Sequence, residues 1–231
     1  MSAVKFNEVG PGIWDHTELI HFFGACLPHR MTIIRLEDRT VLLHSPTRCD
    51  PDTKQALNDL GPVSHIVAPS AMHDLFLNEW AGAFPDARVW IPPGARKYFS
   101  HVPKAEPLPD HGEDAPWQRE LTYVRMEGMA RLHECVFYHE PSRSIICADL
   151  FFHVEKENPP LIRIAARLGG FYRKLAVPAD IRWFLVRDRQ ALRHSIGKLR
   201  VLPFENIIVG HGANTIGNGA AAFEEATAWL A

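Results

Sequence analysis

The sequence predicts an α/β fold. Three observations carry the prediction: strand and helix signals alternate between residues 63 and 91, antiparallel strand signals follow one another between 121 and 150, and a buried strand near residue 204 precedes a final helical stretch.

Met31 to Leu36 (MTIIRL) and Thr40 to His44 (TVLLH) read as strands, with the polar Glu37-Asp38-Arg39 as the turn between them. Asp50-Pro51 reads as an N-cap followed by a first-turn proline, so a helix is placed at about Pro51 to Leu60 with Gly61 at its end. Val63 to Val67 is a short strand, 68–72 a loop, and His73 to Phe84 has helical apolar spacing at Leu75, Phe76, Trp80 and Ala83. Arg88 to Ile91 is a further strand. Residues 100–119 hold four prolines and read as a surface excursion. Leu121 to Val124, Glu134 to His139 and Ser144 to Leu150 read as consecutive strands, with Glu140 to Arg143 as the turn before the last. Two basic amphipathic helices are expected at roughly Leu161 to Leu175 and Pro178 to Leu199, their arginines forming solvated faces. Phe204 to Val209 is a buried strand, and Ala220 to Leu230 a helix. The 231 residues suit one domain, 1–231, without an obvious linker.

Composition narrows the function classes. Hydrophobic residues make up 46% and charged residues 23%, ordinary for a globular chain, and the formal net charge of −2 gives no support to nucleic-acid binding. No apolar run is long enough for a transmembrane helix, and the first residues lack the layout of a signal peptide, so no membrane association is expected. Cys26, Cys49, Cys135 and Cys147 form neither a CxxC motif nor a disulfide framework, and a reducing cytoplasm is the simplest compartment. The 13 histidines make metal chemistry worth testing by position.

Three segments carry candidate chemistry. In FENIIVGHG (204–212) a buried strand runs into Gly-His-Gly, placing His211 at a carboxyl strand end, where ligand residues of α/β sheets gather; the alternative is a turn-capping histidine. In SIICADLFF (144–152) Asp149 follows an apolar run, where a carboxylate is costly unless paired, hydrogen-bonded or metal-bound; a turn cap is the other reading. In SHIVAPSAMHDLF (64–76) His73-Asp74 lies at a loop-to-helix junction after a buried strand. There Asp74 serves either a helix N-terminus or the mouth of the sheet.

In this order, the segments resemble the metallo-β-lactamase superfamily, and within it a family that is a domain of unknown function. The resemblance runs through 29–36, 42–46, 61–76, 86–89, 137–142, 148–150 and 207–212. It implies a four-layer αββα sandwich. The superfamily signature His-x-His-x-Asp-His falls on Pro69 to Asp74, so Pro69 and Ala71 replace the first two histidines and the Asp-His pair is inverted as His73-Asp74. The next histidine falls near Gly128-Met129 and is absent; the bridging aspartate matches Asp149 and the last histidine His211. The first metal site has thus lost its histidines. What survives suits one zinc, iron or manganese ion on His73, Asp74, Asp149 and His211, or no ion at all.

The expected protein is hydrolase-like, with Asp149 catalytic in positioning the metal and activated water, acting on a small-molecule substrate. The alternative is a non-catalytic member that binds a ligand or partner. His44 at a strand end either lines the same cleft or makes a structural hydrogen bond, and His133 is a substitute ligand. His139 and His153 flank the Asp149 hairpin, and Ser45 has no base at a motif spacing.

Overall fold

A computed structural model describes residues 4–22, 24–110, 115–117, 120–129 and 131–231. The strands are β1 (Asn7–Gly10), β2 (Ile13–Phe22), β3 (Ala25–Arg35), β4 (Val41–His44), β5 (Val63–Val67), β6 (Arg88–Ile91), β7 (Ala105–Pro107), β8 (Leu121–Arg125), β9 (Cys135–His139), β10 (Ser144–His153) and β11 (Asn206–Gly212). The helices are α1 (Pro51–Leu60), α2 (Leu77–Ala83), α3 (Pro160–Gly169), α4 (Arg189–Arg200) and α5 (Gly219–Thr227). A seven-stranded sheet has the order β1 to β7, and a four-stranded sheet the order β11-β10-β9-β8.

Strand periodicity shows how these elements stack. Successive side chains on a strand point to opposite faces. Ile33, Leu43, Ile66 and Val89 of the large sheet pack against Leu57 of α1 and Leu77 and Trp80 of α2. Their neighbours Ile34, Leu42, Val67 and Trp90 pack instead against Phe137, Ile146 and Ile208 of the small sheet. The small sheet's opposite face, with Val136, Ile145 and Ile207, buries Leu192 and Ile196 of α4 and Phe223 of α5. The result is helix, sheet, sheet, helix: the four-layer αββα arrangement expected.

Local chemistry explains most boundaries. Asp50 accepts from the Asp52 and Thr53 amides at 3.0 Å each and starts α1. Gly61 ends it at φ 150°, where a Cβ would lie 2.4 Å from the Arg39 carbonyl oxygen. Other boundaries differ from expectation. β1 and β2 carry no apolar run: β2 buries Ile13 and Asp15, but Thr17, Leu19 and His21 further along it are exposed. Helix α2 starts at Leu77, and His73 to Phe76 form turns before it. A short 3-10 helix (Arg96–Phe99) leads into the excursion, which contains the edge strand β7; residues 111–114 and 118–119 of it, and 1–3 of the opening segment, lie outside the described residues. The two long basic helices are shorter than expected. α3 ends at Gly170, which is left-handed at φ 81°, and a π-turn (Ile181–Leu185) intervenes before Asp188 caps α4. Among the described residues no helix is long and apolar enough to cross a membrane, and all four cysteines are free.

Two histidines remote from solvent make stability pH-dependent. Burial, with the charge of His73, lowers His44 to about 3, and burial lowers His139 to about 4, from an ordinary 6.5. Above pH 6.5 both states are neutral at these sites. Below it the unfolded chain takes up protons that the folded chain refuses, so stability is lost as pH falls towards the folded values. Each contributes a slope of up to about 1.4 kcal/mol per pH unit. The urea midpoint is expected to fall between pH 6.5 and pH 4.5; a midpoint constant across that window contradicts the assignment.

Candidate metal centre

A break in the small sheet creates the centre. β10 and β11 run in parallel register up to Cys147 opposite Val209, and resume at Phe152 opposite His211. Four residues, 148 to 151, therefore face Gly210 alone, and the bulged segment carries Asp149. The buried Glu134 side chain holds the bulge: it accepts from the Ala148 amide at 2.8 Å and from the Asp149 amide at 3.2 Å. Burial, and then the nearby Asp149 charge, push the Glu134 carboxyl upward. Gly210 is required by proximity, since a Cβ there would lie 2.7 Å from the Ala148 carbonyl oxygen and 3.1 Å from Cε1 of His73.

Three buried side chains converge. Oδ1 of Asp149 lies 3.3 Å from Nε2 of His73 and 3.4 Å from Nε2 of His211. Its Oδ2 accepts from the Ser70 hydroxyl at 2.5 Å. The far nitrogens of both rings are held. Nδ1 of His211 lies 2.7 Å from the Pro28 carbonyl oxygen on β3, and Nδ1 of His73 lies 2.6 Å from Oγ of Ser45. Ser45 takes a left-handed φ of 56° where β4 ends. A carbonyl only accepts, so Nδ1 of His211 carries the proton and a neutral ring turns its Nε2 lone pair toward a carboxylate oxygen. Two acceptors face each other, and the gap calls for a second ring proton or a cation. Burial raises the Asp149 carboxyl, but the charges and hydrogen bonds of His73 and His211 outweigh it and hold that carboxyl well below the usual range.

The donor set fits a metal. Zinc bonds of about 2.0–2.2 Å at tetrahedral angles separate ligand atoms by roughly 3.3–3.6 Å, close to the distances from Asp149 to each ring. His73, Asp149 and His211 each offer an atom within 4.8 Å of the others. Outer-nitrogen hydrogen bonds of the kind made to Pro28 and Ser45 orient metal-binding imidazoles. The centre forms the floor of a cavity of about 550 Å³. Phe152 lies along the His211 ring at 4.6 Å between centroids.

Arg30 on β3 fastens the two sheets beside the centre. Its guanidinium donates to the Val209 carbonyl at 2.6 Å and pairs with buried Asp15 at 3.1 Å, which accepts from Asn214. This clamp fixes the end of β11, and with it His211, against Pro28.

The structure brings together His73, Asp149 and His211 and turns Asp74 elsewhere: its Oδ2 lies 3.6 Å from Nε2 of the half-exposed His101. Consecutive side chains in the turn before α2 diverge, so the inverted pair contributes its histidine alone. His44 packs edge-on against Phe137 between the sheets, at 5.2 Å. His133 sits beside Gly94 and Tyr98. His139 bonds Ser142, and His153 pairs with Glu155. Ser45 is buried and does not line the cavity, so it positions His73.

Sequence reasoning passed over four contributors: His29, Ser70, Ser45 as a positioning group, and Glu134. His29 lines the cavity, its ring 5.0 Å from that of His73 and its Nε2 3.2 Å from the Pro46 carbonyl oxygen. Burial, then His73 and His211, lower it to about 3, which keeps it neutral. The available signal was the polar pair His29-Arg30 inside an apolar strand.

A family model described as a domain of unknown function (DUF4336) matches residues 11–179. No curated protein matches the chain. Among solved structures, a metallo-β-lactamase from Pontibacter korlensis aligns with a TM-score of 0.66 at 13% identity, covering 98% of each chain. The mono-zinc form of the metallo-β-lactamase FIM-1 from Pseudomonas aeruginosa aligns at 0.62 and 14% identity, over 98% of this chain and 97% of that one. The flavodiiron protein from Giardia intestinalis aligns at 0.69 and 13% identity, over the whole of this chain and 60% of that one. At such identities the likeness establishes the fold.

Because Gly210 faces backbone that cannot retreat, Gly210→Ala is expected to cost about 1–3 kcal/mol, seen as a Tm several degrees lower by calorimetry. An unchanged Tm contradicts the close approach.

Proposed function

Since the chain belongs to the DUF4336 family and has the metallo-β-lactamase fold, we propose that it is a hydrolase-like protein holding one metal ion on His73, Asp149 and His211 and acting on a small-molecule substrate. One observation carries the reading: with Nδ1 of His211 bonded to the Pro28 carbonyl, its Nε2 lies 3.4 Å from a carboxylate oxygen of Asp149, a separation that a shared cation spans. Zinc, iron or manganese suits two imidazoles and a carboxylate. When bound, such an ion polarises a carbonyl or phosphoryl oxygen and makes water more acidic.

The chain's own groups then have separate tasks. His73 and His211 hold fixed orientations through Ser45 and Pro28. Asp149 supplies the negative charge, with Ser70 fixing its second oxygen. Neutral His29 offers a polar contact at the edge of the floor, and Phe152 keeps water from the far side of His211. Free cysteines and the absence of a strong basic excess suit a cytoplasmic protein that handles small molecules and no nucleic acid.

A second reading has its own support. Ser70 and the two imidazoles already provide Asp149 with partners, so the group is also consistent with a metal-free, non-catalytic binding protein.

Elemental mass spectrometry of untagged protein separates the two. Near-stoichiometric metal in the parent, reduced at least tenfold in His211→Ala and Asp149→Ala, is expected. No bound metal after incubation with zinc, manganese or iron would leave the binding-protein reading.

A further inference from the structure

The cavity above the centre has walls whose chemistry selects what enters. On the reading that His73, Asp149 and His211 hold a metal, we propose that the substrate is a neutral acyl amphiphile, its carbonyl head at the histidine–aspartate floor and its apolar chain along α3 and the π-turn.

The buried polar side chains of the cavity are gathered in one cluster, with Asp180 exposed beside the π-turn. The floor is His29, His73, Asp149 and His211, whereas the walls include Leu27, Leu132, Phe152, Ile162 and Phe171. A volume of about 550 Å³ is far more than a head group alone fills. The opening is ringed by large apolar side chains left in water: Met72 is 49% exposed, Leu75 57%, Phe184 66%, Trp183 74% and Leu168 83%. Single exposed apolar residues are ordinary, but five around one mouth mark a binding surface. Leu161, Ile164 and Leu168 extend this surface as a stripe along α3, one helical face at i, i+3 and i+7.

Charge argues for a neutral head. Among the described residues that line the cavity there is neither Lys nor Arg; its carboxylates are Asp149 and Asp180. An anionic phosphate or sulfate would meet no basic side chain there. The arginines of α3 are engaged elsewhere: Arg163 donates to the Lys156 carbonyl at 3.1 Å, and Arg167 lies over the Tyr172 ring at 3.9 Å. Sugars and nucleotides, rich in hydroxyls or charge, would leave polar groups unpaired against these walls.

The probe is a series of N-methyl alkanamides, from the butanoyl to the dodecanoyl member, titrated calorimetrically below micellar concentration. Metal-loaded and chelator-treated protein are compared. Affinity is expected to rise roughly fourfold per methylene and then level off as the cavity fills. Leu168→Asp combined with Phe184→Ser removes exposed side chains only, so Tm is expected to hold. The long members should weaken on the order of tenfold, with the shortest unchanged. Affinity independent of chain length overturns the proposal. So does a chain-length dependence untouched by the double variant, binding to neutral phosphatidylcholine vesicles without binding of monomeric amides, or a stable dimer that hides the rim and binds no amide. Chain-length dependence in protein that takes up no metal upholds the ligand class while removing the metal. Metal uptake with a flat series does the opposite.

Discussion

Burying the Asp149 carboxylate at the point where β10 leaves β11 demands donors on every side, and much of the surrounding structure answers that demand. Ser70 reaches one oxygen, and His73 and His211 face the other. Glu134 holds the bulged backbone beneath it, Ser45 and Pro28 hold the outer ring nitrogens, and Arg30 pins β11 to β3. An unpaired carboxylate at this depth would be expensive. The cost explains why a three-residue cluster needs partners from β3, the residue after β4, the residue before β9 and the loop after β5.

The two sheets place these groups by periodicity. Residues that point between the sheets make the dry core around Phe137 and Ile146, and the strand ends beyond that core lift Ser45, His211 and the loop at Ser70 to the same rim. Above it, α3 and the π-turn leave apolar side chains around the opening instead of sealing it. A polar, fixed floor under an apolar mouth suits the proposed ligand, with its small polar head and longer apolar arm.

Much of this was legible before any coordinates. The strand endings at His44 and Val67 follow from apolar runs cut by proline or polar residues, and α1 from Asp50-Pro51 and Gly61, whereas the last strand runs on past the expected Val209 to Gly212 because His211 and Gly212 pair with Phe152 and His153. His73, Asp149 and His211 each interrupt an apolar segment at a strand end or junction, but it is the order of these segments, through the resemblance to the metallo-β-lactamase superfamily, that singles them out. Asp74 joins them only as the inverted partner of His73 in that resemblance, and the turn geometry before α2 sends it toward His101. His29, Ser70 and Glu134 went unseen because their roles arise from long-range packing: Ser70 meets Asp149 across 79 positions and Glu134 meets its amide across 15. The basic helices are shorter than expected because apolar periodicity carries no mark for a π-turn, and Gly169-Gly170 ends the first of them.

The most direct test of the metal centre is anomalous diffraction from crystals soaked in zinc or manganese. The account predicts one strong peak bonded to Nε2 of His73, Oδ1 of Asp149 and Nε2 of His211, with Asp74 outside bonding distance. A centre without a peak, its carboxylate still bridged to two imidazoles by hydrogen bonds alone, would contradict it.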